Sequence, residues 1–147
     1  MDKKKYLPII DANFNRCKEG LRVVEDIFRF ALKDDRLRKE TRNYRHKLVK
    51  LVEPVLIQAA ITERDSMQDL GRELDSLENK RDGLFDTLYR NLQRAKESLR
   101  VLEEFSKITD RKNTAKLKNL RYEIYDLEKE IILQWPSLSD NRQTDNR

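Results

Sequence analysis

The sequence predicts an all-α antiparallel bundle of about five helices with an internal two-fold duplication. Three observations carry this expectation. Only three glycines and three prolines punctuate 147 residues, too few for the turns of a sheet or sandwich. Apolar residues recur at three-four spacing along several long segments. Fourteen residues, Asn13 to Asp26, return as Asn91 to Glu104, eight of them identical and the rest conservative. Much of what recurs is polar. A helix that only buried a stripe would repeat its apolar positions and let the others drift, so shared Asn, Arg, Lys and Glu suggest polar groups presented to one place.

Each element has its own signals. Lys3 to Lys5 reads as a frayed start, and Pro8 suits the first turn of a helix over about residues 9–33. Ile10, Phe14, Cys17, Leu21, Val24, Ile27, Phe28 and Ala31 form its apolar stripe. Asp34-Asp35 can cap a second helix that reaches about Glu53 through Leu37, Tyr44, Leu48, Leu51 and Val52. Pro54 breaks it, and a short apolar helix over 55–63 follows. Residues 64–82 are the least regular, with a helical turn or two around Leu74 and Leu77 and a joint at Gly83. A long helix over 84–108 carries the second copy. Asn113-Thr114 can cap the last helix, 115–134, whose apolar side is Leu117, Leu120, Ile124, Leu127, Ile131 and Ile132. Pro136 stops it, and the polar residues 137–147 read as a disordered tail. One domain, 1–135, thus comprises halves 9–53 and 84–134 around a connector 54–83, with 136–147 outside it.

Composition narrows the function. Charged residues make up 40% of the chain and the formal charge is +5, with acids and bases interleaved. That favours anionic small molecules over nucleic acid, for which no recognition signature is present. No apolar run is long enough to span a membrane, no signal peptide is seen, and the single cysteine suits a reducing cytoplasm. A homodimer is compatible with the pseudo-symmetry, although no exposed heptad seam marks an interface.

The candidate site rests on the repeated polar groups. Asn13 and Asn91 fall within the apolar stripes. A core amide is either paired internally or holds a ligand. Arg16 and Arg94, one turn on, point partly inward and require a carboxylate or a phosphate. Arg22 with Glu25 and Arg100 with Glu103 lie farther round as surface pairs. Arg45 and Arg121 recur on the second helix of each half, and Arg64 stands in the connector. Convergent arginines would grip phosphate oxygens in bidentate fashion. Asp65, Glu103 and Glu104 are the carboxylates that could hold a divalent metal. His46 is the only histidine, and its counterpart Tyr122 cannot do acid–base work, so it is weak as a catalytic base. Cys17, aligned with Ala95, reads as a small core residue, and Tyr122 and Tyr125 either stack on a ligand ring or pack. No phosphate loop, dinucleotide fingerprint or zinc spacing occurs.

The doubled Asn-x-x-Arg-x-x-Glu-(small)-Leu-Arg-Val-x-Glu-(acid) motif, with Ile10-Asp11-Ala12-Asn13, Arg45-His46, Arg64-Asp65 and Leu120-Arg121-Tyr122, resembles the bacterial hydroxymethylpyrimidine-phosphate kinase domain. That domain often precedes thiamine-phosphate synthase in one polypeptide. The resemblance spans about Ile9 to Ile132. It implies that ATP, with Mg²⁺, phosphorylates 4-amino-5-hydroxymethyl-2-methylpyrimidine phosphate to the diphosphate, and that thiamine-phosphate synthase is a partner. Under it, Arg16, Arg94, Arg64 and Asp65 are catalytic. Asn13, Asn91, Arg45, Arg121, Arg22 and Arg100 bind the substrate and its phosphates, and Asp65 and Glu103 hold the metal. The alternatives are a helical nucleotide pyrophosphohydrolase and a non-catalytic bundle that docks a thiamine enzyme.

Overall fold

A computed structural model describes residues 3–52, 54–73 and 79–136. Five α-helices occur among them: α1 (Leu7–Asp26), α2 (Asp35–Leu51), α3 (Pro54–Thr62), α4 (Gly83–Thr109) and α5 (Thr114–Gln134). The expected helical turns near Leu74 and Leu77 and the tail from Ser137 lie outside the described residues.

Lys3–Tyr6 is a 3₁₀ turn leading into α1, not a frayed end, and Pro8 occupies the first turn where its missing N–H costs nothing. The first helix also departs from expectation at its far end. Its last segment, Ile27–Ala31, is π-helical, and Ala31 is exposed. The Leu32 N–H reaches back to the Ile27 carbonyl at 2.9 Å, and the Asp34 N–H to the Phe28 carbonyl at 2.9 Å. Between them Lys33 adopts a left-handed conformation with φ 55°. This is a Schellman-type stop with lysine where glycine is preferred. The Asp34 cap forms as expected, its side chain accepting from the Leu37 N–H at 2.9 Å. The Asn113 cap does not. Its amide donates to the Asp110 carboxylate at 2.7 Å, and a 3₁₀ turn over Arg111–Asn113 starts α5 instead.

The apolar stripes meet in one cluster drawn from both halves, with Leu21, Val24, Leu37, Leu48, Leu99, Leu120, Ile124 and Leu127 at its centre. Ile132, expected in the core, is 40% exposed. The most extensive helix contact joins the two motif-bearing helices, α1 and α4; α2 packs on α1, α5 on α4, and α3 on α1. No described helix is long and apolar enough to cross a membrane.

Candidate functional site

The two motif copies cross at a close approach. A Cβ on Gly20 would lie 3.0 Å from the Asn91 carbonyl oxygen and 3.7 Å from the Ala95 nitrogen. The Cys17 thiol, buried beside Ser98, marks the next contact along the seam. Rising numbers on α1 meet falling numbers on α4, so the copies run antiparallel about a pseudo-two-fold near Cys17 and Ala95. Burial pushes the Cys17 thiol up to about 12, which suits the core role read from sequence.

A seam this tight leaves no room for guanidinium groups inside it. Arg16 and Arg94 are therefore exposed rather than partly inward. Arg94 Nη2 crosses the seam to Glu19 Oε2 at 3.7 Å. Arg16 lies one turn before Glu19 on the same edge, and its Nη1 donates to Asn13 Oδ1 at 3.4 Å. The twin arginines thus share one edge of the crossing, open to solvent.

The repeated asparagines are satisfied locally. Asn13 and Asn91 are buried, and each Nδ2 donates to the carbonyl four residues back, Ile9 and Thr87, at 2.8 Å in both copies. Part of the shared polar pattern is therefore a repeated back-bond of the helix.

Two further groups recur as ion clusters. Glu25 accepts from Arg45 Nε at 3.0 Å, with Arg22 3.8 Å away. Glu103 accepts from Arg121 Nε at 2.7 Å and Nη2 at 3.3 Å, with Arg100 3.8 Å away. The Glu103 carboxylate raises the Arg121 pKa, chiefly through their hydrogen bond. Arg22 and Arg100 stay largely exposed and also face Asp26 and Glu104 at 3.7 and 3.2 Å. Arg45 and Arg121, with side chains 17% and 12% exposed, neutralise the buried carboxylates of Glu25 and Glu103. Glu103 is 1% exposed and held by Arg121. A carboxylate at that depth needs its cations.

Arg64 forms a fork on Asp11, Nε to Oδ2 at 2.8 Å and Nη2 to Oδ1 at 2.7 Å. The pair ties the connector to α1. The neighbouring Asp65 is exposed, and its Oδ1 accepts from the Gln68 N–H at 3.2 Å. Asp11 received no role from sequence. The signal was an acid beside Ile10 and Phe14 on the buried side of a helix, where a carboxylate requires a cation. A second omission is Glu128, which takes Lys96 Nζ at 2.7 Å and Gln93 at 2.5 Å. Tyr122 and Tyr125 stay exposed and meet the protein's own cations: Arg121 sits 5.1 Å from the first ring centroid and Lys96 4.5 Å from the second. His46 lines a separate polar cleft with Asn43, Lys47 and Lys50. Among the described residues no three His, Cys, Asp or Glu side chains gather as a metal site.

The chain is 38% identical over 125 residues to a thiamine-phosphate synthase of Nostoc punctiforme, a match covering 84% of this chain and 34% of that protein. It is 40% identical over 125 residues to the thiamine-phosphate synthase of a Synechocystis species, covering 84% and 35%. A third, from Rhodopirellula baltica, is 31% identical over 139 residues, covering 94% and 37%. The chain thus spans about a third of the length of the curated relatives it matches. No solved structure matches it. Residues 8–130, which include both copies of the motif and the whole of the α1–α4 seam, match the ThiD2 family, and the chain belongs to that family.

Proposed function

We propose that this chain phosphorylates 4-amino-5-hydroxymethyl-2-methylpyrimidine phosphate to the diphosphate, with ATP as donor, as a step of thiamine biosynthesis. The relatives' name, thiamine-phosphate synthase, supports the pathway. The doubled motif and its resemblance support the reaction. The observation that carries the reading is the pair Arg16 and Arg94, two exposed guanidiniums on one edge of the α1–α4 crossing.

The acceptor is a phosphate oxygen, already anionic at neutral pH, so no general base is required. That oxygen forms a bond to the γ-phosphorus while the bond to the β–γ bridging oxygen breaks and ADP leaves. The protein must bring two anions together and stabilise the charge of the transferring group. Arg16 and Arg94 are suited to that task, and Asn13 steers Arg16 through its Oδ1. Glu19, 3.7 Å from Arg94, is exposed and yields readily to a phosphate. Arg64, forked on Asp11, and the exposed Asp65 are the further catalytic groups that the resemblance implies. Bound Mg²⁺ supplies positive charge on the triphosphate. Asp65 is the carboxylate left to face it, and the dispersed acids fit an ion carried by nucleotide phosphates better than one resident in the protein. Thiamine-phosphate synthase, joined or separate, is the partner expected to receive the product. A pyrophosphohydrolase would instead draw several carboxylates together.

The test is phosphoryl transfer by the purified protein from ATP to the pyrimidine monophosphate, followed as diphosphate formed. Arg94→Ala should lower kcat/KM on the order of 100-fold without loss of helicity. Free hydroxymethylpyrimidine should be a poor substrate, since it lacks both the ready nucleophile and the anion. Equal rates on the free alcohol and the monophosphate would refute the mechanism.

A further inference from the structure

A second group of positive charges lies away from the seam, where α1 hands over to α2. Arg29, Lys33, Arg38 and Arg42 line an open cleft of about 450 Å³, backed by Phe28 and rimmed by Asp35. That volume falls within the roughly 300–1,000 Å³ of small-molecule sites. The π-helical turn and its left-handed stop carry Arg29 and Lys33 on one wall. Arg38 and Arg42, four residues apart on α2, form the other.

The one lining carboxylate is already taken. Asp35 Oδ1 accepts from Arg38 Nε and Nη2 at 2.8 and 2.7 Å, and its Oδ2 meets Lys39 at 3.0 Å. Among the described residues no carboxylate lies within ion-pair distance of Arg29, Lys33 or Arg42; Arg29 rests only over its neighbour Phe30, 4.8 Å from the ring centroid. Three like charges facing one cleft repel one another until an anion enters.

Backbone strain points the same way. Lys33 holds φ 55°, a conformation that glycine adopts without steric penalty. Lysine thus stands where glycine would cost less. The duplication supplies an internal comparison. At the corresponding place α4 continues as regular helix to Thr109 with no π-turn. There Lys107, the counterpart of Arg29, pairs with Glu104 at 2.9 Å, and Arg111, the counterpart of Lys33, donates to the Lys107 carbonyl at 3.3 Å.

We infer that this cleft binds a linear polyphosphate, the triphosphate tail of a nucleotide held apart from the one that reacts at the α1–α4 edge. Cations spread along two walls suit an extended polyanion better than a single phosphate, and Arg29 and Arg42 offer planar forks to its oxygens. Phe28 is fully buried, so it offers no ring face to a base, and the cleft reads phosphates. The site is separate from the transfer edge, and its polyphosphate affinity does not rest on the kinase reading.

The experiment is calorimetric titration of the full chain with inorganic tripolyphosphate at fixed ionic strength. Wild type should bind it, and Arg29→Ala/Arg42→Ala should weaken binding fivefold or more. The charge-matched control Lys112→Ala/Lys116→Ala should change it less than fivefold. Thermal melting of each variant confirms folding, and the single reversal Arg42→Glu serves as a second probe of the same wall. ATP should displace bound tripolyphosphate, which assigns the nucleotide tail over free polyphosphate. A loss below fivefold in both cleft variants overturns the site, as does failure of ATP to compete. Orthophosphate binding as tightly as tripolyphosphate, or a 12-mer oligonucleotide binding more tightly, also overturns it. If the cleft binds tripolyphosphate but the protein transfers no phosphoryl group, the kinase reading fails and the cleft stands. If the double variant raises KM for ATP in transfer, the cleft is the reacting nucleotide's own site and the separate site fails; an unchanged KM with weakened tripolyphosphate binding upholds it.

Discussion

Glu103 shows at residue scale what the repeated motif encodes. The side chain is 2% exposed and receives two bonds from Arg121. Its twin Glu25 receives one from Arg45. Removing one member of such a pair leaves the other buried and uncompensated, at about 3–5 kcal/mol. Glu103→Gln keeps the volume and an acceptor oxygen, so its cost should fall at the low end, about 3 kcal/mol, read as a lowered urea midpoint with unchanged slope. Saturating Mg²⁺ should not alter that difference. Stabilisation of wild type by Mg²⁺ that disappears in the variant would restore Glu103 as a ligand. The identities of the paired groups were legible in the sequence because they occur twice. Their partners were not. Whether Arg121 meets a carboxylate or a phosphate depends on the spacing between α4 and α5, which no single helix records. The inward aim expected of Arg16 and Arg94 failed for a related reason: helical angle places them at the flank of the stripe, and only the closeness of the facing helix pushes them out to solvent.

At the scale of elements, that closeness depends on Gly20. Its missing side chain lets the Asn91 carbonyl approach to within 3.0 Å of where a Cβ would stand. Alanine would gain about 1 kcal/mol of helix propensity. Against this stands overpacking of a backbone contact that cannot rotate away, typically about 1–3 kcal/mol. Gly20→Ala should therefore destabilise by about 1 kcal/mol net, visible in chemical denaturation. A stabilised variant would mean that the α1–α4 seam has slack. The helices themselves were readable from periodicity, and Pro8 and Asp34 marked two of their starts. The π-turn at Ile27–Ala31 was not readable. Its apolar residues continue the three-four pattern, and the extra residue in the turn shows only in backbone bonds. Asn113 failed as a cap because its backbone is already helical at the end of the 3₁₀ turn, whereas a capping residue is extended.

At the scale of the molecule, the halves are copies in sequence yet share one core. The buried cluster takes residues from α1, α2, α4 and α5 together, so neither half carries enough apolar surface to stand alone. The connector contributes less. Residues 64–73 are exposed throughout and outside any helix, and the Arg64–Asp11 fork is what ties them down. Limited trypsin digestion should therefore cut at Arg72 before any site within the five helices, and later at Arg64, whose side chain is engaged. The nicked protein should still elute as one species on size exclusion and keep its helical circular dichroism, while denaturing gels show two pieces. Asp11→Asn should speed the cut at Arg64 without separating the halves. Pieces that part under native conditions would mean that each half folds around its own core. In that case the α1–α4 edge bearing Arg16 and Arg94 would be an accident of packing and not a shared site, and phosphoryl transfer would survive the nick and the separation of the pieces alike. A shared site predicts instead that transfer survives the nick and is lost only when the pieces are driven apart.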